Sequence, residues 1–81
     1  MARYFLHIHN SHGGAEDEEG IDANSLAEAS ERALTGIRSL LAAEVVNGQI
    51  DLSGHIDISD ETGKVLLSIP FTDGVTVKGL S

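Results

Sequence analysis

Histidines at alternate positions near the start of the sequence are the side chains best suited to chemistry. His7 and His9 lie two residues apart in a stretch that alternates apolar and polar residues, so both rings project from one face of a strand. Two imidazoles at this spacing can bind zinc or a similar metal ion. His12, or an acid such as Asp17, could supply a third ligand. The candidate metal ligands are therefore His7, His9 and His12.

An ordinary role for these histidines is the alternative interpretation, and the sequence favours it. The chain contains no Cys and fixes no third ligand at a metal-binding spacing. Solvated or hydrogen-bonded histidines on an uncovered strand face therefore account for the pattern. His55 and Asp57 show the same two-residue spacing, and the same two interpretations apply to them. We expect no resident cofactor.

Other catalytic and binding chemistries lack the residue patterns that they need. The acidic run Glu16–Glu19 could attract a cation, but it does not fit the spacing of a calcium-binding helix–loop–helix motif. No serine lies in a nucleophile-elbow pattern, and Gly13–Gly14 is followed by no Lys that would indicate a phosphate-binding loop. We therefore expect no enzymatic activity, unless two subunits share a site.

The composition restricts the classes of partner. The chain carries 13 acidic and 5 basic residues, a formal net charge of −8, which repels nucleic acids and anionic membranes. No apolar run approaches the roughly 20 residues that cross a bilayer, and Met1–His9 is too short and too soon polar for a signal peptide. We therefore expect a cytoplasmic protein that binds neither nucleic acid nor membrane.

The length of the chain bounds its architecture. Its 81 residues fit a single domain, which we expect to span residues 1–81. A core of this size without a disulfide has a small reserve of stability, and association with a second copy would supplement it. We therefore expect a homo-oligomer, most simply a homodimer.

The periodicity of apolar residues predicts the elements that position these side chains. Arg3–His9 alternates with a period of two, as a strand does, and Ala15–Glu19 could form a short second strand before Gly20. Ser25–Val46 repeats instead at three- and four-residue steps, between a capping-box pattern and the stop signal Asn47–Gly48. This pattern predicts a long amphipathic helix. Its buried stripe is predicted to contain Leu26, Ala29, Ala33, Leu34, Ile37, Leu40, Leu41 and Val45.

Two further strands follow the helix. His55–Ser59 and Lys64–Phe71 both alternate, and Pro70 predicts that the second of them lies at an edge or ends there. Thr72–Ser81 could add a short strand through Val75 and Val77 or be disordered. The order β-(β)-α-β-β predicts a two-layer α+β fold, in which an antiparallel sheet of three or four strands packs one face against the helix.

Such a sheet leaves its second face open. Strand alternation places Phe5, His7 and Leu66 on that face, with Phe5 and Leu66 as apolar anchors. The leading hypothesis is a small non-enzymatic interaction module that self-associates through the open face or a sheet edge and whose cellular protein partner is unknown. One alternative is that the tail simply covers Phe5. The other is a metal- or small-ligand-binding protein that uses the strand histidines and nearby acids.

Three segments together resemble a known family. Met1–His7 is similar to an M-x-R-Y-F-F-H opening, Asp17–Asp22 to an acidic D-x-E-G-(I/V)-(E/D) motif, and Ile56–Asp73 to an ending of the form D-x-x-G, V-L-x-(L/V)-P-F-x-D. These motifs are typical of short bacterial proteins grouped as a domain of unknown function. His9 and His12 lie outside the pattern, and Leu6 stands where a second Phe is common. The resemblance implies a single domain and no particular activity.

Overall fold

The computed structural model describes residues 1–79 and contains one sheet and one long helix. The strands are β1 (Ala2–Asn10), β2 (Gly13–Ala15), β3 (Ile21–Ala23), β4 (His55–Ser59) and β5 (Val65–Pro70), and the helix is α1 (Leu26–Val46). A 3-10 turn, Phe71–Gly74, follows β5 directly. All strand pairs are antiparallel. The predicted α+β fold, an antiparallel sheet with one long helix, is confirmed.

The sheet has five strands where the sequence predicted three or four. The order is β2-β1-β4-β5, and β3 also pairs with β1. β2 pairs with one end of β1, at Ile8 to Asn10, and β3 with the other, at Ala2 to Tyr4. The single short strand predicted over Ala15–Glu19 is thus replaced by two strands, because most of that acidic segment leaves the sheet between them.

Local hydrogen bonds set both ends of α1 where the sequence predicts them. The Ser25 hydroxyl accepts from the Glu28 N–H at 3.1 Å, and the Glu28 carboxylate accepts from the Asn24 N–H at 2.8 Å. These bonds satisfy amides that have no partner within the helix. At the other end Asn47 is the C-cap, and Gly48 adopts the left-handed conformation with φ +85.

The core lies between α1 and the facing side of the sheet. Ala29, Ala33, Ile37 and Leu41 are the buried residues of α1, as the predicted stripe requires. Val45 was predicted to widen this stripe but is 58% exposed, because the sheet is not long enough to cover the last turn of the helix. The other buried apolar residues are Ala23, Ile56, Ile58, Ile69 and Phe71.

The 3-10 turn after β5 fastens the chain back onto the helix. Phe71 is 1% exposed, and the Arg38 Nε donates to the Gly74 carbonyl at 2.7 Å. A Cβ placed on Gly74 would lie 2.7 Å from the Ile37 Cγ2, so only glycine lets the turn approach α1 this closely. The remaining tail is irregular through Gly79 with Val77 exposed, and Leu80–Ser81 lie outside the described residues.

β5 forms one edge of the sheet, and two features modify that edge. The Phe71 N–H donates to the Gly54 carbonyl at 2.9 Å, so by strand alternation the nitrogen of Pro70 faces away from β4, where its missing N–H removes no ladder bond. A register shift between Ile58 and Ser59 places Val65 opposite Ser59. This bulge interrupts the alternation of inward and outward side chains along β5 at Val65.

Candidate functional site

The face of the sheet turned away from α1 carries most of the polar strand residues. Within residues 1–79 α1 is the only α-helix, and it packs on the opposite face. The register places three pairs of residues side by side on the open face. These pairs are Phe5 with Ser59, His7 with Asp57, and His9 with His55.

His7 uses both ring nitrogens within the fold. Its Nδ1 accepts from the Asp17 N–H at 3.1 Å, and its Nε2 lies 3.0 Å from the Ser59 hydroxyl. Because Nδ1 accepts, the proton resides on Nε2, which donates to the Ser59 oxygen. Ser59 is 3% exposed and so needs this partner. His7 therefore joins the acidic segment to the sheet and offers no free nitrogen to a ligand.

Asp17 replaces the strand pairing that is missing between β2 and β3. Its carboxylate accepts from the Leu6 N–H at 3.2 Å and from the Gly20 N–H at 2.9 Å. The side chain thus satisfies an amide of β1 that would otherwise lack a partner. Sequence reasoning missed this role, although an Asp three residues before a Gly is a common turn pattern.

His9 groups with residues of β4 instead of with His7 and His12. The His9 Nε2 lies 3.3 Å from one Asp57 oxygen, and the His55 Nε2 lies 3.5 Å from the other. The two imidazole rings stack with centroids 4.8 Å apart. His12 lies in the exposed turn after β1, where its N–H donates to the Asn10 side chain at 2.9 Å. Of the three predicted ligands, only His9 therefore belongs to this group.

A residue of the neighbouring strand β5 also forms a hydrogen bond with the Asp57 carboxylate. The Ser68 hydroxyl on β5 donates to the oxygen that faces His55. Beside the two rings lies a shallow depression of about 190 Å³, lined by His9, Asn10, Ser11, Ser53 and His55. Solvent therefore reaches both imidazoles.

A neighbouring carboxylate, Asp51, accepts hydrogen bonds from two serines. The Ser11 hydroxyl makes the largest contribution, followed by the Ser53 hydroxyl and N–H, and together they lower the pKa of Asp51 to about 2. These bonds connect the turn after β1 to the segment before β4. They hold in place two of the loops around the depression.

The two apolar anchors predicted for the open face differ in their exposure. Phe5 is half-buried, and a Cβ on Gly20 would lie 2.9 Å from its ring, so the backbone just after the acidic segment packs against Phe5. Its ring also stacks on His7 with centroids 6.4 Å apart. Leu66 is 37% exposed. His7 is half-buried between its two hydrogen-bond partners.

One group of exposed apolar side chains lies on the outer strand, and a second group, Val45, Val46 and Ile50, lies at and just after the end of α1. Val65, Leu66 and Leu67 are 50%, 37% and 39% exposed, although they are consecutive residues of β5. None of the residues from Val65 to Pro70 is charged, in a chain whose net charge is −8. The outer strand is thus an apolar, neutral strip beside the open face.

Comparison with known proteins assigns the chain to a family. Residues 3–72 match the family model described as Domain of unknown function (DUF6894). No curated protein and no solved structure matches the chain. Along residues 1–79 the structure contains no helix that combines the length and apolar character of a membrane span. The match covers most of the sequence, and the chain belongs to the DUF6894 family.

Proposed function

We propose that this protein is a small non-enzymatic interaction module that associates with a second copy of itself through the β5 side of its sheet. The observation that carries the proposal is the exposure of Val65, Leu66 and Leu67 as three consecutive apolar side chains. Contiguous exposed apolar surface commonly marks a protein contact. The hydrophobic effect would drive association there.

The charge distribution favours the same surface. Two copies with a net charge of −8 repel each other wherever acidic residues would meet. The uncharged strand β5 is where two copies can approach with little such cost, and Lys64 next to it adds a positive charge. In an isologous dimer each copy presents the same patch to the other. An uncharged patch can do this without bringing like charges together.

β5 favours association through side-chain contacts and not through backbone pairing between the β5 edges of two copies. Pro70 offers no N–H to a neighbouring strand, and the bulge at Val65 bends the other end of β5. Between them, by alternation from the Phe71 N–H, only Leu66 and Ser68 turn an N–H to the free edge. The proposed contact is therefore made by side chains on both sides of this edge, with Leu66 on the open face, where Phe5 lies at the margin, and Leu67 on the other side.

A serine–histidine contact on the open face supports the proposal of a non-enzymatic protein. A serine nucleophile needs a histidine nitrogen that accepts its proton. The His7 Nε2 instead carries a proton, because Nδ1 is occupied by the Asp17 N–H, and the Ser59 hydroxyl is buried. This pair is arranged to hold the fold together. The proposal also places the protein in the cytoplasm, where a chain without Cys needs no oxidising compartment.

Sedimentation equilibrium of single-site variants tests the proposal. We expect the wild type to dimerise below a concentration of ~100 µM, and Leu66→Lys to weaken dimerisation at least ~10-fold, because it places a charge in the centre of the contact. Val77→Lys is the matched control, since Val77 is also apolar and 51% exposed but lies outside β5. Circular dichroism should show that both variants remain folded.

Two results would contradict the proposal. A wild type that stays monomeric at several hundred micromolar would remove self-association. A loss of dimer in Val77→Lys as large as in Leu66→Lys would place the contact elsewhere. The double variant Phe5→Asp with Leu66→Lys extends the test to the open face, because a contact that reaches Phe5 would make it dimerise more weakly than Leu66→Lys alone.

A further inference from the structure

We propose that His9, His55 and Asp57 form a binding site for one divalent transition-metal ion of the zinc, copper or nickel class. The ligand atoms of the three side chains all lie within 4.8 Å of one another. They come from neighbouring strands of one rigid sheet, with His9 on β1 and the other two on β4. The inference does not rest on self-association, because none of the three ligands lies on β5.

The distances between ligand atoms fit a metal centre. In a tetrahedral site with metal–ligand bonds of about 2.05 Å, two ligand atoms lie about 3.3 Å apart. The His9 and His55 nitrogens are 3.3 and 3.5 Å from the two Asp57 oxygens. Small rotations of the stacked rings, whose planes differ by 17°, would bring the two nitrogens closer together.

The donor set selects the class of metal. Two imidazole nitrogens and one carboxylate suit zinc, copper and nickel, whereas calcium and magnesium need mostly oxygen ligands. Three protein ligands leave at least one coordination position for water or an external molecule. The depression beside the rings gives room for it. The site therefore resembles an exchangeable or ligand-accepting centre more than a closed structural one.

The surroundings support the site in three ways. The Ser68 hydroxyl donates to one oxygen of Asp57 and so fixes the orientation of the carboxylate, as outer groups commonly do around metal ligands. The exposed fractions of the His9, His55 and Asp57 side chains are 49%, 42% and 20%, so an ion can enter directly from solvent. The net charge of −8 raises the local concentration of cations.

Zinc titration of the untagged 81-residue chain tests this proposal. Calorimetry should give one saturable Zn²⁺ site per chain. His55→Gln and Asp57→Asn should each weaken Zn²⁺ binding at least ~10-fold, and Ser68→Ala should weaken it by about 10-fold through loss of carboxylate orientation. His12→Gln is the matched control, because His12 is an exposed histidine outside the group, and it should bind Zn²⁺ as the wild type does.

A spectroscopic measurement on the wild type avoids any effect of the substitutions on folding. Added Zn²⁺ should shift the imidazole proton resonances of His9 and His55 and leave those of His12 unchanged. The proposal is overturned if Zn²⁺ does not saturate below about 1 mM, if His12→Gln loses as much affinity as His55→Gln, or if all the histidine resonances shift alike. Any of these results would leave self-association untouched.

Discussion

Replacing Ile37 with Ala should destabilise the protein more than any other single truncation on α1. Ile37 is 0% exposed, and its Cγ2 lies where the 3-10 turn approaches the helix at Gly74. Removing three buried carbon atoms and leaving a cavity costs about 2–5 kcal/mol. A chain of 81 residues has a total stability of only about 4–12 kcal/mol. The substitution should therefore remove a large part of it.

Urea denaturation followed by circular dichroism measures this effect. With a dependence on urea of about 1 kcal/mol per molar, a loss of 3 kcal/mol lowers the midpoint by about 3 M. Val45→Ala is the control on the same helix, because Val45 is 58% exposed and its truncation should cost no more than about 0.5 kcal/mol. Equal midpoints for the two variants would refute the assignment of the buried face.

The contact between Ile37 and Gly74 provides a second, independent check. Gly74→Ala places a methyl group 2.7 Å from the Ile37 Cγ2, so it should destabilise the wild type. In the Ile37→Ala background that carbon is absent, and the added methyl group partly fills the cavity. The two changes should therefore be less damaging together than the sum of their separate effects. Additive effects would mean that the turn does not pack on α1 as described.

Three further outcomes follow from individual contacts. Ser25→Ala should cost about 1 kcal/mol through loss of the helix cap, and an unchanged denaturation midpoint would contradict that role. Gly54→Ala should destabilise the protein strongly, because the added Cβ would overlap the Phe71 ring. A variant as stable as the wild type would show that the Gly54 backbone does not pack against Phe71. The Ser11 hydroxyl donates to Asp51 and lowers its pKa from the ordinary value of 3.8 to about 2 in the folded protein. The ionised Asp51 carboxylate therefore stabilises the fold above pH 4, and this stabilisation is lost as the pH falls from about 4 to 2. Asp51→Asn should reduce the fall in stability over that interval, and an identical acid limb would count against the Ser11 contact.

The helix was predictable because each of its signals is local. Ser25 and Glu28 indicate the start, Asn47–Gly48 indicates the end, and the three- and four-residue repeat gives the buried face. Only the last turn was wrong, at Val45, because the reach of the sheet under the helix is not encoded within the helix itself.

The outer strands were less predictable because side chains take part in their pairing. Asp17 supplies bonds that a strand backbone would otherwise make, so Ala15–Glu19 does not continue as a single strand. The bulge at Val65 likewise depends on the register with Ser59. Alternation along one strand specifies the faces of that strand, but it carries no information about a shift against its neighbour.

The candidate metal group was partly visible in the sequence. The spacing indicated that His55 and Asp57 share one face of a strand, and it indicated the same for His7 and His9. It could not show that His9 pairs with His55, because these residues are far apart in the chain and their pairing depends on the register of β1 with β4. It also could not show that the Asp17 N–H occupies His7.

Isotope-filtered NMR on a mixture of labelled and unlabelled chains tests the central claim, self-association through β5, most directly. The experiment detects only contacts between different molecules. Contact through β5 predicts intermolecular signals between methyl groups of Val65, Leu66 and Leu67, which are exposed in the single chain. No intermolecular signal at high protein concentration, or signals confined to the exposed helix end at Val45 and Val46, would contradict the claim.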